Sequence, residues 1–216
     1  AGPPRVTDGA PTLPQERFAA LVGALRLGAA AAAAFEELDS LHAEPHRRYH
    51  GAAHVLALLR HLDDIRDHCA APDEVEWAIW FHDAVYSTRR SDNEERSADL
   101  SDRWLGRGGA GAGLLERTRE LILATRHGAE PVDGDVALLV DIDLSILGAP
   151  TETYDAYERA IREEYRWVPG PLFRRERRKV LAGFLERPTI FRTAPLRARW
   201  EERARQNLTR ALAALG

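Results

Sequence analysis

The sequence predicts an all-α fold, a single-domain bundle of about nine or ten helices. Three observations carry that reading. Apolar residues recur three and four positions apart through segment after segment. Pro and Gly punctuate these segments at Gly28, Pro45, Pro72, the run GRGGAGAG, Pro169-Gly170-Pro171 and Pro188, and cut the chain into helix-sized lengths. A chain of 216 residues supports one sizeable core without a second domain, and no internal repeat divides it.

Taken in order, residues 1–13, rich in Pro and Gly, read as a flexible N-terminal tail ahead of a helical domain over 14–216. Helical spacing runs from Gln15 to Leu27 and, past Gly28, from Ala29 to His42; Pro45 marks a turn. A long helix is expected from about Arg48 to Cys69, with the stripe Val55, Leu58, Leu59 and Leu62. Pro72-Asp73-Glu74 opens the next, since proline and acids suit a first turn. Its sequence DEVEWAIWFHDAVY is apolar on two faces and so belongs at the centre. Asp92 caps a helix to about Leu105, GRGGAGAG is a flexible connector, and Leu114 to Arg126 resumes with Leu115, Thr118, Ile122 and Thr125 at helical spacing. After the loop HGAEPVDGD, the run VALLVDIDLSILG satisfies strand or buried helix by pattern alone; its helical neighbours decide for helix. Three further helices follow near 151–166, 171–186 and 195–214.

The formal net charge is −4 at pH 7. Arginines are spread among acids along the helices, a pattern of solvated faces and ion pairs, so no specific nucleic-acid binding is expected. The densest basic run, Arg174, Arg175, Arg177, Arg178 and Lys179, reads as a solvated helix face. No apolar run approaches the roughly 20 residues that cross a bilayer, and AGPPRVTDGA lacks an apolar signal region. The expectation is a soluble cytoplasmic protein with no membrane partner. Cys69 is the one cysteine, which excludes an intrachain disulfide and a thiolate cluster and leaves any metal to His, Asp and Glu.

The stretch RYHGAAHVLALLRHL sets His50 and His54 at i and i+4. On one helix both imidazoles project from the same face, as a metal site or a proton relay requires. WFHDAVYS then places His82 beside Asp83 at the end of the apolar central helix. Burying that pair costs desolvation unless a divalent cation compensates both groups, or a cap or an arginine does so separately. LLVDIDLSILG puts Asp141 and Asp143 inside another apolar run, with the same two readings. Jointly, three helices can present His, His-Asp and Asp to one cavity, giving a nitrogen and oxygen site with open positions for water.

That order resembles the HD superfamily of metal-dependent phosphohydrolases, whose defining pattern is His, then His-Asp, then a distant Asp on an all-helical scaffold. The likeness spans roughly residues 45–145. RYHGAAHV, FHDAVY, DNEERSA, LATRH, DIDLSILG, YDAYERAIREEY and ARQNL are similar to an uncharacterised bacterial branch of predicted HD phosphohydrolases. The resemblance implies an HD-domain-like bundle and a divalent transition metal (Mn, Fe, Co, Ni or Zn) held by His54, His82, Asp83 and Asp143. It also implies hydrolysis of a small phosphoester, a nucleotide among the candidates, by metal-activated water. The related cyclic-nucleotide phosphodiesterases carry His-Asn-x-x-His-Ala, with a proton-donating first and a ligating second histidine, and Asp-Leu-Ser with the distal ligand. HGAAHV keeps that histidine spacing with Gly51 in place of the Asn, which favours His54 as ligand and His50 as donor, and DLS favours Asp143 over Asp141.

An imidazole with an ordinary pKa near 6.5 suits a proton donor, a core or capping role being the alternative for His50. Glu94 and Glu95 open the helix after the His-Asp loop, to orient the attacking water or simply to suit the helix dipole. Arg89 and Arg90 are candidate bidentate phosphate clamps, and Arg126 a further substrate contact. His127 reads equally as accessory ligand, substrate contact or helix-capping cation. Arg47 and Arg48 flank the paired histidines and are placed to steer anions. Tyr154, Tyr157 and Tyr165, with Ile161, read first as core. Two competing functions follow from the same residues. A di-iron oxygenase would need more imidazoles, of which only His127 lies downstream of Asp83, and a non-catalytic binding or regulatory protein would use the metal as a staple.

Overall fold

The computed structural model describes residues 11–126 and 134–216. Those residues form ten α-helices and no strand: α1 (Gln15–Ala24), α2 (Ala34–His42), α3 (Ala52–Ile65), α4 (Pro72–Phe81), α5 (Asn93–Arg107), α6 (Ala112–Ala124), α7 (Gly134–Asp143), α8 (Thr151–Glu164), α9 (Gly170–Glu186) and α10 (Ala194–Ala214). Short 3-10 turns precede α2 (Ala29–Ala33), follow α3 (Arg66–His68) and extend α7 (Leu144–Gly148). The all-α expectation holds, and the run that fits strand or helix by pattern is helical. None of the described helices is long and apolar enough to cross a membrane.

α4 is the central helix, with Val75 through Phe81 all buried. Phe18 of α1 sets its ring edge-on to Trp80 at 5.1 Å, and the Trp77 indole donates to Ser101 Oγ of α5 at 2.9 Å, so its one polar atom is satisfied. α3, α4 and α7 pack against one another pairwise, and the sequence-predicted metal ligands lie on α3, directly after α4 and at the end of α7.

Four local expectations need correction. Leu13, assigned to the tail, is buried in the core. α3 begins at Ala52 rather than near Arg48, because the amides of Arg48, Tyr49 and His50 all donate to Glu164 Oε1 of α8, at 2.7, 2.8 and 3.1 Å. Gly51 then turns into the helix where a Cβ would lie 3.0 Å from the His42 carbonyl oxygen. Asp92 occupies the N-cap position of α5 without capping it, its carboxylate being held by Arg90. The GRGGAGAG connector is docked: the Gly108 carbonyl accepts from the Gly28 amide at 2.8 Å, and a Cβ on Gly108 would meet Ala31 Cβ at 2.9 Å.

α10 closes the bundle over the turn that follows Asp143. Asn207 Nδ2 donates to the carbonyls of Leu147 and Ala149, both at 2.9 Å, and Gly148 lies under Trp200. A Cβ there would stand 2.5 Å from Trp200 Cβ and 3.0 Å from its Cα, atoms that cannot swing away. Gly148→Ala is therefore expected to destabilise the protein by about 1–3 kcal/mol, the usual cost of overpacking. A lowered denaturant midpoint at unchanged slope is the measurement.

Candidate metal centre

His54 comes from the first turn of α3, His82 and Asp83 directly follow α4, and Asp143 ends α7. Their side chains meet. The Nε2 atoms of His54 and His82 are 3.2 Å apart. Asp143 Oδ1 lies 3.2 Å from His54 Nε2 and 3.6 Å from His82 Nε2. Asp83 Oδ2 lies 3.2 Å from His82 Nε2 and 3.7 Å from His54 Nε2. Donor atoms sharing one transition metal at about 2.0–2.2 Å stand roughly 3.0–3.6 Å from their neighbours. The observed spacings match that pattern, most tightly for His54, His82 and Asp143, whose ligand atoms all lie within 4.8 Å of one another.

The electrostatics point the same way. His82 Nδ1 donates to the Ile79 carbonyl at 2.9 Å, which places the neutral ring's proton on Nδ1 and leaves the Nε2 lone pair toward the cluster. Two imidazole Nε2 atoms at that separation can share one ring's N–H or ligate one cation. Burial opposes charge on His82, yet Asp83 and Asp143 push its pKa well above the ordinary value; burial holds that of His54 below it. Against their own burial, Asp83 and Asp143 are held well below the usual carboxylate range, Asp83 by His82 with His50 and His54 and Asp143 by His54 and His82. Two carboxylates facing two imidazoles in a nearly dry site are short of positive charge, and the oxygen and nitrogen donor set fits a divalent transition metal.

Arg47 builds the frame. Sequence position suggested anion steering; instead its guanidinium is buried and donates to the carbonyls of His50 (3.0 Å), Asp83 (2.6 Å) and Ala84 (2.8 Å), tying the turn before α3 to the turn after α4. Arg48 is exposed.

His50 stands in the turn before α3, not on its face, and its ring centroid is 5.9 Å from that of His54. Its Nδ1 pairs with Glu164 Oε2 at 2.7 Å, Tyr86 stacks on it at 4.3 Å, and Tyr49 meets it edge-on at 4.9 Å. Glu164 also accepts from Tyr86 Oη at 2.7 Å, in addition to the three backbone amides. Burial works against both charges, but the pair prevails: the His50 pKa is raised, and that of Glu164 is lowered to about 2. With Nδ1 anchored on Glu164, a protonated His50 has Nε2 left to donate.

A cleft of about 420 Å³ exposes Asp83, Asp143 and His50 together. Glu94 lines it without an ion pair or hydrogen bond among the described residues, whereas Glu95 turns to Arg126. Arg126 and Arg90 reach the cleft wall while paired with Glu95 and Asp92. Arg89 is not in that wall; it lies exposed, 4.5 Å over the Trp167 ring. His127 lies outside the described residues. Asp141 does not reach the cluster: its buried carboxylate accepts from the amides of Arg192 (2.8 Å) and Thr193 (2.7 Å), ahead of α10.

Two residues escaped the sequence reading. Glu164 continues the inward stripe of α8 made by buried Tyr154, half-buried Tyr157 and buried Ile161, and an acid on such a stripe is the signal that identifies it. Arg177 differs from its basic neighbours: it lines the cleft, its Nη2 bonding Glu158 Oε1 (2.6 Å) and Tyr157 Oη (3.0 Å) and its Nε bonding Glu158 Oε2 (3.1 Å). Compared with protein-family models, curated proteins and solved structures, the chain shows no significant match to any.

Proposed function

We propose that this chain is a metal-dependent phosphohydrolase of HD type acting on a small phosphoester, a nucleotide being one candidate class. The observation that carries the reading is the convergence of the His54, His82, Asp83 and Asp143 donor atoms beside a cleft that Asp83 and Asp143 line together with His50, whose ring is anchored on the buried Glu164 carboxylate. A divalent cation held by those four residues supplies Lewis-acid polarisation of a phosphoryl oxygen and an acidified water. His50, fixed by Glu164 and clasped by Tyr49 and Tyr86, gives its Nε2 proton to the leaving oxygen. Arg177, held in place by Glu158 and Tyr157, offers positive charge to the phosphoryl oxygens. Leu144, Ile146 and Phe184 give the leaving group an apolar wall. Glu94 faces the cleft where it can orient water. On this reading the enzyme works in the cytoplasm on a diffusible substrate, with neither nucleic acid nor membrane as partner.

Protein purified without chelators is expected to contain about one transition metal per chain and, with that metal restored, to hydrolyse members of a phosphoester panel. Elemental analysis showing no such metal, with no thermal stabilisation by Mn, Fe, Co, Ni or Zn, overturns the metal assignment. Metal-loaded protein inactive across the panel overturns the hydrolase assignment and leaves a metal-stapled binding protein.

A further inference from the structure

A second cavity, of about 560 Å³, adjoins the cleft and shares Tyr49 and Ile146 with it. We propose that this second cavity binds a small phosphate-bearing anion at a site separate from the reaction.

Its wall contains Arg48, Arg60, Arg199 and Arg203 and no Asp or Glu. The chain as a whole carries a net charge of −4, so this is a local concentration of positive charge rather than a share of a global excess. Arg199 is paired with Asp64 at 2.8 Å and Arg203 reaches the Gly148 carbonyl at 3.4 Å. The side chains of Arg48 and Arg60 have no hydrogen bond or ion pair among the described residues and are left to a ligand.

Two further features face the same space. α8, 14 residues long, begins there, with Pro150 and Thr153 in the wall and no side-chain cap on its first turn, so free amides and the positive end of the helix dipole meet the cavity. His54 is also part of the wall, and its buried Nδ1 has no hydrogen-bond partner among the described residues. The Trp200 and Leu58 side chains add an apolar floor, and the volume falls within the range of small-molecule sites. Arginine forks with helix amides are the usual recognition of phosphate.

The test is calorimetric titration of the full chain, without added metal, with inorganic pyrophosphate, followed by diffraction from crystals soaked in it. Arg60→Ser with Arg203→Ser is expected to weaken binding by about tenfold or more, the scale of one lost charge-assisted hydrogen bond. Arg174→Ser with Arg178→Ser, the same charge change on exposed α9, should change it by less than about twofold. Density is expected among Arg48, Arg60 and Arg203. No binding by the unmodified chain, equal weakening by both pairs, or density in the cleft alone overturns the proposal. None of these readouts needs turnover, so the result stands apart from the hydrolase assignment.

Discussion

The Asp143→Ala chain is expected to retain no transition metal and to show no metal-dependent phosphoester hydrolysis. Asp143 Oδ1 approaches both histidine Nε2 atoms, at 3.2 and 3.6 Å, and brings one of the two negative charges that compensate a buried cation. Removing one partner from such a buried charged set costs about 3–5 kcal/mol, two to three orders of magnitude or more in metal affinity. Asp141→Ala is the matched control, two positions earlier on the same helix. That carboxylate holds the amides of Arg192 and Thr193 and the Thr193 hydroxyl, so its loss should lower the thermal midpoint with metal stoichiometry intact. Elemental analysis of both folded variants decides the point: equal metal content removes Asp143 from the ligand set, and metal loss confined to Asp141→Ala exchanges their roles.

The distinction between these two aspartates was readable only in part, and the reason is general to this chain. Helices α1 to α10 were legible because apolar spacing and Pro or Gly breakers act locally, within one or two turns. The candidate ligands His82, Asp83 and Asp143 stood out for a related reason, together with the non-ligand Asp141, since all four are polar groups in apolar runs and demand compensation. What compensates each one is decided by distant chain. Glu164, 114 residues beyond His50, claims three amides ahead of α3 and thereby stops the helix short of the histidine that sequence spacing placed on it. Arg47 carries an anion-steering reading until the carbonyls of Asp83 and Ala84 are found around its buried guanidinium. Arg177 is indistinguishable from Arg174, Arg175 and Arg178 in the sequence, because only the packing of α9 against α8 residues Tyr157 and Glu158 singles it out.

His54→Ala and His50→Ala are expected to fail in different ways, although the two rings lie 5.9 Å apart. His54 gives Nε2 to the cluster, so its loss should empty the metal site and abolish turnover on every substrate. His50 touches no cluster carboxylate and is bound to Glu164 at 2.7 Å, so its variant should keep the metal and lose about two to four orders of magnitude in rate, the worth of a positioned acid. An activated leaving group such as p-nitrophenolate departs without a proton, and on that ester the His50 variant should regain most of its rate while the His54 variant stays inactive. Glu164→Gln keeps an acceptor for the three amides but removes the charge that holds the imidazolium, and it should reproduce the leaving-group pattern of His50→Ala in milder form. Metal lost from the His50 variant and kept by the His54 variant would reverse the two roles. Equal losses on activated and unactivated esters in the His50 variant would mean that His50 shapes the turn and carries no proton, because a donor's absence is felt only where the leaving group needs one.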